Sequence, residues 1–393
     1  MTTHASGSAS QVTVPTASVP GCGVASAATA ALRTTLAQLV AQRKTPGAQY
    51  AFVDEQGILV SAVSGQADLQ RSIPVREQTL FHGYSVTKTF TAAALVLLAL
   101  QKRLDLDAPI VRYLPELADA RSPSLRQVLC HTAGYANPIP IGWVHRAAEH
   151  DAFDAAAFFA QVADKHGRVL RPPGETFAYS NVGYLFLGEV VQRVSGLPFA
   201  AFVEQQIIAP LRLPEGAVLR FSMGDPAAHA RGYVARWSVL NALLGLFISR
   251  RRVLAGTHSG WTQFHDMQVH GAAYGGILGN AAGFARYLQA LLRKDPPFSA
   301  EVCECLFAPQ KTHAGADIPM ALSWFRGACR GEPYFDHAGG GGGYYCELRL
   351  YPQRRCASVL LLNRTGVKND HLLDGIDAPL LDSARASRLG DVG

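Results

Sequence analysis

The sequence predicts an α/β (α+β) fold: an antiparallel sheet flanked by helices, built from both chain ends, with a mostly helical lobe inserted between them. Three observations predict it. Short apolar runs bounded by turn residues lie at 50–53 and 58–63 and return at 321–325, 344–351 and 357–362. From about residue 105 to 295, apolar residues recur at helical rather than strand spacing. With 393 residues, 48% apolar and 17% charged, the chain can bury a large core and is too apolar for a disordered protein. No fixed period marks a solenoid.

Taken in order, residues 1–26 are rich in Ser, Thr, Ala, Gly and Pro, without a positive start followed by an apolar stretch. They are expected to form a disordered leader carrying no secretory signal, and a cytoplasmic location follows as the expectation. Residues 27–43 repeat apolar positions at helical spacing, and the runs at 50–53 and 58–63 flank Glu55-Gln56-Gly57 as a hairpin. Residues 85–104 are rich in Ala and Leu without Gly or Pro, so a long buried helix should begin near Ser85. Further helices are expected at 124–131, 154–165, 182–195 and 281–292, and a last one at 370–386. This divides the chain into a sheet lobe at about 27–84 and 296–390 and a helical lobe at about 85–295.

The net charge of +6 comes from scattered Lys and Arg, apart from Arg250-Arg251-Arg252, which argues against nucleic acid as a partner. Seven cysteines, an odd number with no CxxC pair, read as reduced thiols. The longest apolar runs fall well short of the roughly 20 residues a spanning helix needs. The segment 237–252 is apolar and then basic. For it, ordinary core packing competes with a lid (over 237–271) and with contact to a membrane surface. His258, His265 and His270 match no common zinc spacing, so no metal is expected.

Three motifs carry chemistry. Ser85-Val86-Thr87-Lys88 puts a hydroxyl and an ammonium at i and i+3 on one face of a helix start, where developing negative charge is favoured. A serine needs such help to become a nucleophile; a Ser cap beside a solvated Lys is the plain alternative. Tyr179-Ser180-Asn181 precedes a helical pattern, placing a phenol and an amide at its entrance. There Tyr179 could serve as a base, or Asn181 could merely cap the helix. His337-Ala338-Gly339 runs into Gly340–Gly343. Such a segment lets a substrate approach the backbone, and otherwise makes a flexible turn. A Gly-x-Ser-x-Gly elbow is absent.

Ser-x-x-Lys, Tyr-x-Asn and His-x-Gly in that order resemble the penicillin-binding-protein and serine β-lactamase superfamily. Thr79-Leu80-Phe81, the segment 104–109, Leu129-Cys130-His131-Thr132-Ala133-Gly134, Pro172-Pro173-Gly174, the segment 184–196 and Gly275-Gly276-Ile277 look like landmarks of the same superfamily. The likeness runs from about residue 45 to 365 and is closest to the class C β-lactamase and family VIII esterase branch.

The resemblance implies one catalytic domain over 27–390. Ser85 would be the acylated nucleophile, and Lys88 with Tyr179, as a phenolate, would be the proton-transfer pair. Asn181 would orient substrate or Lys88, and the N–H groups of Ser85 and Gly340, beside Gly339, would form the oxyanion hole. No cofactor is implied. The superfamily's β-lactamases and peptidases mostly carry Lys at the position of His337. An imidazole near its usual value of about 6.5 is mostly neutral at pH 7 and regains a cation only on acidification. The expected substrate is therefore a small carboxylic ester, or a small amide. A lactam or D-amino-acid peptide, an acyl transfer to an alcohol, and a catalytically silent binding protein are the alternatives. Oligomeric state is not legible.

Overall fold

The computed structural model describes residues 26–117, 119–138, 142–247, 249–367 and 372–390; the expected leader lies outside the described residues except Ser26. Helix α1 (Ser26–Ala41) buries Leu32 and Leu36, one turn apart on a single face. β1 (Gly47–Asp54) and β2 (Ile58–Asp68) form the hairpin. Asp54 Oδ1 closes its turn by accepting from the N–H groups of Gln56 and Gly57 at 2.8 and 3.0 Å. β3 (Ile73–Pro74) follows.

The inserted region carries α2 (Thr87–Leu100), α3 (Leu125–Leu129), α4 (Ala155–His166), α5 (Asn181–Ser195), α6 (Phe199–Val203), α7 (Val239–Phe247), α8 (Arg250–Val253), α9 (Ala272–Gly275) and α10 (Ala281–Arg293). Short strands punctuate it. β4 (Phe81–His82), β6 (Leu219–Arg220) and β11 (Leu278–Gly279) form one patch. β7 (Tyr233–Ala235), β8 (Leu254–His258) and β9 (Trp261–Phe264) form a second, and β5 (Val144–Arg146) pairs with β10 (Met267–Val269). The chain then runs through α11 (Ala300–Phe307), β12 (Phe325–Cys329), β13 (Glu332–Gly341), β14 (Tyr344–Tyr351), β15 (Cys356–Leu362) and α12 (Leu372–Gly390).

The main sheet is ordered β12-β13-β14-β15-β1-β2-β3, every neighbouring pair antiparallel. Its centre joins the two chain ends, with Ala48 opposite Leu362 and Asp54 opposite Cys356. The two-residue period of β1 splits its side chains between two cores. Ala51 and Val53 belong to the larger core with α2 and α10, whereas Ala48, Tyr50 and Phe52 pack with Leu32, Leu36 and the α12 residues Leu373 and Leu380. α2 is largely apolar beyond its first turns and is buried along most of its length, as a helix at the centre of a core must be. Buried Asp377 ties α12 to three strands by accepting from Tyr50, Tyr351 and Ser358 hydroxyls at 2.6, 2.8 and 2.6 Å.

Two strand expectations need correction. The strand anticipated at 321–325 begins at Phe325 and continues to Cys329. The segment from His337 to Gly343, for which a flexible turn is one reading of the sequence, lies as far as Gly341 in β13, which spans Glu332–Gly341. Pairing with β14, from Phe335 opposite Leu350 to Gly341 opposite Tyr344, holds this glycine-rich segment extended. His337, Gly339 and Gly340 therefore stand on a rigid strand. The described cysteines form no disulfide.

Candidate active site

Ser85 occupies a single 3-10 turn, Tyr84–Val86, that runs directly into α2. Tyr84 has φ of +44°, a left-handed conformation that costs a bulky residue energy and needs its surroundings to enforce it. β13 is what encloses this turn. A Cβ on Gly339 would lie 2.0 Å from Gly83 O and 2.8 Å from Ser85 N, so only glycine lets the strand reach the turn. Gly341 and Gly342 leave room in the same way for the Tyr84 ring.

Lys88, fully buried, points Nζ at three oxygens: Ser85 Oγ at 3.1 Å, Asn181 Oδ1 at 2.8 Å and the Tyr274 carbonyl oxygen at 2.9 Å. The last two can only accept, so each takes an N–H. The third direction meets Ser85 Oγ, which either accepts from an ammonium or donates to the lone pair of a neutral amine. The rings of Tyr179, Tyr184 and Tyr274 lie 5.1, 5.4 and 5.6 Å from Nζ and favour the cation. Burial opposes them and prevails, holding Lys88 well below its ordinary value. Burial thus disfavours the ammonium form beside Ser85.

Tyr179 hydrogen-bonds to the Ser85 side chain, while its burial pushes the phenol above its ordinary value. This corrects the expectation of a resting phenolate. With Lys88 shifted down and Tyr179 shifted up, the amine and phenol pair is favoured over the ammonium and phenolate pair. The helix cap also differs from one of the sequence alternatives. Ser180, not Asn181, caps α5, its Oγ accepting from Gly183 N–H at 3.1 Å and donating to Ala136 O at 2.7 Å. That frees the Asn181 side chain to accept from Lys88 and to donate to Asn137 Oδ1 at 3.2 Å.

His337 is fully buried, and its Nδ1–H donates to Ser323 O at 2.5 Å. Nε2 must then be the unprotonated nitrogen, and it is buried without a partner among the described residues. Burial first, then the nearby Lys88, lowers His337 to about 3. The expected titration near 6.5 is therefore overturned, because the ring stays neutral throughout the working range. His131, which received no role from sequence, lies with its ring centroid 4.2 Å from that of Tyr179 and accepts from Ser180 N–H at 3.2 Å through Nδ1. Burial, then Lys88 and His337, holds it well below 6.5 as well.

Tyr274 and Asn137 were also missed. A carbonyl oxygen has no residue signature, and nothing around Asn137 distinguishes it; Gly275-Gly276-Ile277 was the one nearby signal. His145 stacks with both His270, at 5.0 Å between ring centroids, and His150, at 5.2 Å, and His258 and His265 are not part of this grouping. Among the described residues no group of three or more His, Cys, Asp or Glu could hold a metal ion. A cavity of about 580 Å³, walled by Phe153, Phe158, Phe199 and Phe221, shares Gly275 and Gly276 with this region but does not include Ser85.

A family model described as Beta-lactamase matches residues 32–379. Esterase EstB of Burkholderia gladioli is 34% identical over 189 residues, covering 44% of this chain and 47% of the esterase. Penicillin-binding protein 4* of Bacillus subtilis is 22% identical over 304 residues, 76% of this chain and 64% of that protein. The chain thus spans about half to two thirds of the length of these curated relatives. Among solved structures, D-amino acid amidase from Ochrobactrum anthropi SV3, complexed with D-phenylalanine, superposes with a TM-score of 0.71 at 20% identity, over 92% of this chain and 99% of that one. A class C beta-lactamase gives 0.67 at 17% identity, over 90% and 96%. At such identities the structures establish the fold alone.

Proposed function

The chain belongs to the Beta-lactamase family, and from that premise we propose that it is a serine hydrolase cleaving small carboxylic esters through an acyl-enzyme on Ser85. The observation that carries the reading is the placement of Ser85 Oγ against a buried Lys88 amine and the Tyr179 hydroxyl. Ser85 Oγ adds to the ester carbonyl as its proton passes to Lys88. The oxyanion faces the N–H groups of Ser85 and Gly340, whose separation is set by Gly339. Collapse breaks the acyl C–O bond, the departing alkoxide takes the Tyr179 proton, and Lys88 returns its own to the phenolate. Water then repeats the sequence, releasing the acid and restoring Ser85.

Two observations support an ester over an anionic lactam or a peptide. His337 is neutral where the resembling β-lactamases and peptidases mostly carry Lys, and the esterase of B. gladioli is 34% identical over the matched region. Intact-mass spectrometry after an alkyl fluorophosphonate tests the nucleophile: a single adduct on Ser85 is expected, and none on the Ser85→Ala variant. Turnover of p-nitrophenyl butyrate, nitrocefin and a D-alanine p-nitroanilide side by side tests the substrate class. Faster cleavage of either of the last two would replace the ester reading with the β-lactamase or D-aminopeptidase one.

A further inference from the structure

Between Asp225 and Asp266 the chain contains no acidic residue, yet it holds Arg231, Arg236 and Arg250-Arg251-Arg252. Core packing does not absorb three of its apolar side chains. Trp237 is 89% exposed, Val239 76% and Leu240 37%, which makes them neighbouring apolar side chains at the start of α7 with water around them. Basic groups surround them. The Arg236 guanidinium lies 4.9 Å from the Trp237 ring centroid, and Arg236 N–H donates to the carbonyl of Gly260, beside which the Arg43 guanidinium stands. Arg364 donates to the carbonyls of Lys44 and Gly366, and Gly366 abuts Leu240. At the other end, Arg250 donates to Asn241 O and Oδ1 at 2.7 and 2.9 Å, securing the turn that exposes Arg251 and Arg252.

We propose that this face docks on the surface of an anionic lipid bilayer. Trp237, Val239 and Leu240 enter the headgroup boundary, where Trp is favoured, and Arg43, Arg251 and Arg252 meet the lipid phosphates. The charge pattern selects this occupant over a second copy of the chain. In a two-fold contact the same patch meets itself, so basic rim would face basic rim. Among the described residues no single helix is long and apolar enough to cross a membrane, so the contact is one of lying on the surface.

Pelleting with sucrose-loaded vesicles tests it on the full chain. Wild type should pellet with phosphatidylcholine vesicles carrying about 30% phosphatidylglycerol at about 50 mM salt, should release at about 500 mM, and should ignore phosphatidylcholine alone. Trp237→Ser/Val239→Ser should weaken binding at least tenfold and remove the blue shift of tryptophan emission. Arg251→Glu/Arg252→Glu should cost more than about 25-fold, since each basic residue near such a surface contributes about fivefold. Both variants should melt as wild type does and keep its p-nitrophenyl butyrate turnover. The proposal is overturned by a wild type that does not pellet, that pellets equally with neutral vesicles, or whose folded variants pellet unchanged. A concentration-dependent dimer abolished by the tryptophan variant, without vesicle binding, would also overturn it and assign the face to a second copy.

Discussion

Adding one methyl group at Gly339 should separate chemistry from folding in this protein. The Cβ would lie 2.0 Å from Gly83 O, 2.8 Å from Ser85 N and 3.0 Å from Val86 N, all backbone atoms that cannot rotate away. An ordinary carbon–oxygen contact is about 3.3 Å, so β13 and the Ser85 turn must part by about 1.3 Å. That displacement falls between the two N–H groups proposed to hold the oxyanion. Misplacement by about 1 Å typically costs about 10²-fold, and losing one oxyanion donor about 10²–10³-fold. Gly339→Ala should therefore lower kcat/KM for p-nitrophenyl butyrate by about 10²–10³-fold, with an overpacking cost to stability of about 1–3 kcal/mol. The next residue is the control. A Cβ on Gly340 finds nothing nearer than Tyr344 O at 3.7 Å and Tyr345 Cδ2 at 3.9 Å, so Gly340→Ala should stay within about threefold of wild type. If Gly339→Ala keeps more than a tenth of wild-type activity, or the two variants lose equally, the strand does not set the geometry of the site.

Tyr179→Phe removes the hydroxyl bonded to Ser85 and should slow single-turnover acylation by about 10²–10⁴-fold; wild-type rates would exclude Tyr179 from proton transfer. His337→Lys should move the ratio of nitrocefin to p-nitrophenyl butyrate kcat/KM upward by about ten- to a hundredfold, and an unchanged ratio would show that another group sets selectivity. Asp377→Ala leaves the Tyr50, Tyr351 and Ser358 hydroxyls without their shared acceptor and should cost about 3–5 kcal/mol in denaturant unfolding; a loss below about 1 kcal/mol would contradict the role given to this carboxylate. Burial holds His82 and His337 at about 3, below the free value near 6.5. Their neutral forms thus contribute stability that is complete above about pH 6.5 and lost as pH falls toward 3, at up to about 1.4 kcal/mol per pH unit for each. The melting temperature should fall progressively below pH 6.5, less steeply in His82→Gln, and equal slopes would remove His82 from the account.

Legibility followed the kind of signal each feature leaves. The antiparallel sheet shared by both chain ends could be read because apolar runs such as 344–351 are short and bounded by turns. The proximity of Ser85 and Lys88 could be read because i and i+3 meet on any helical turn. β13 could not, because its glycines look like turn residues and its extension comes from β14, a partner supplied by tertiary structure. The capping of α5 turned on which of two adjacent polar residues faced Lys88, a matter of packing 93 residues away in sequence. The failed titration of His337 has the same origin. Its residue type predicts a group poised near neutrality, and only its complete burial, beside Lys88, moves it out of range.

That burial also bears on the proposed preference for an uncharged substrate. Lys88 is held below its ordinary value, Tyr179 above, and His131 and His337 below, so the groups around Ser85 are all driven toward their neutral forms. A carboxylate entering such a place would surrender its hydration and meet no cation at His337. His337 adds a directional element to this penalty. Because Nδ1–H is committed to Ser323 O, the nitrogen left without a partner is Nε2, an acceptor. A Lys in that position would offer three donors and a positive charge, whereas this imidazole offers a lone pair, which repels a carboxylate oxygen and welcomes a hydroxyl or N–H donor. The single replacement thus changes the sign of the interaction as well as its strength. An ester, which carries no charge to desolvate, loses nothing by the exchange.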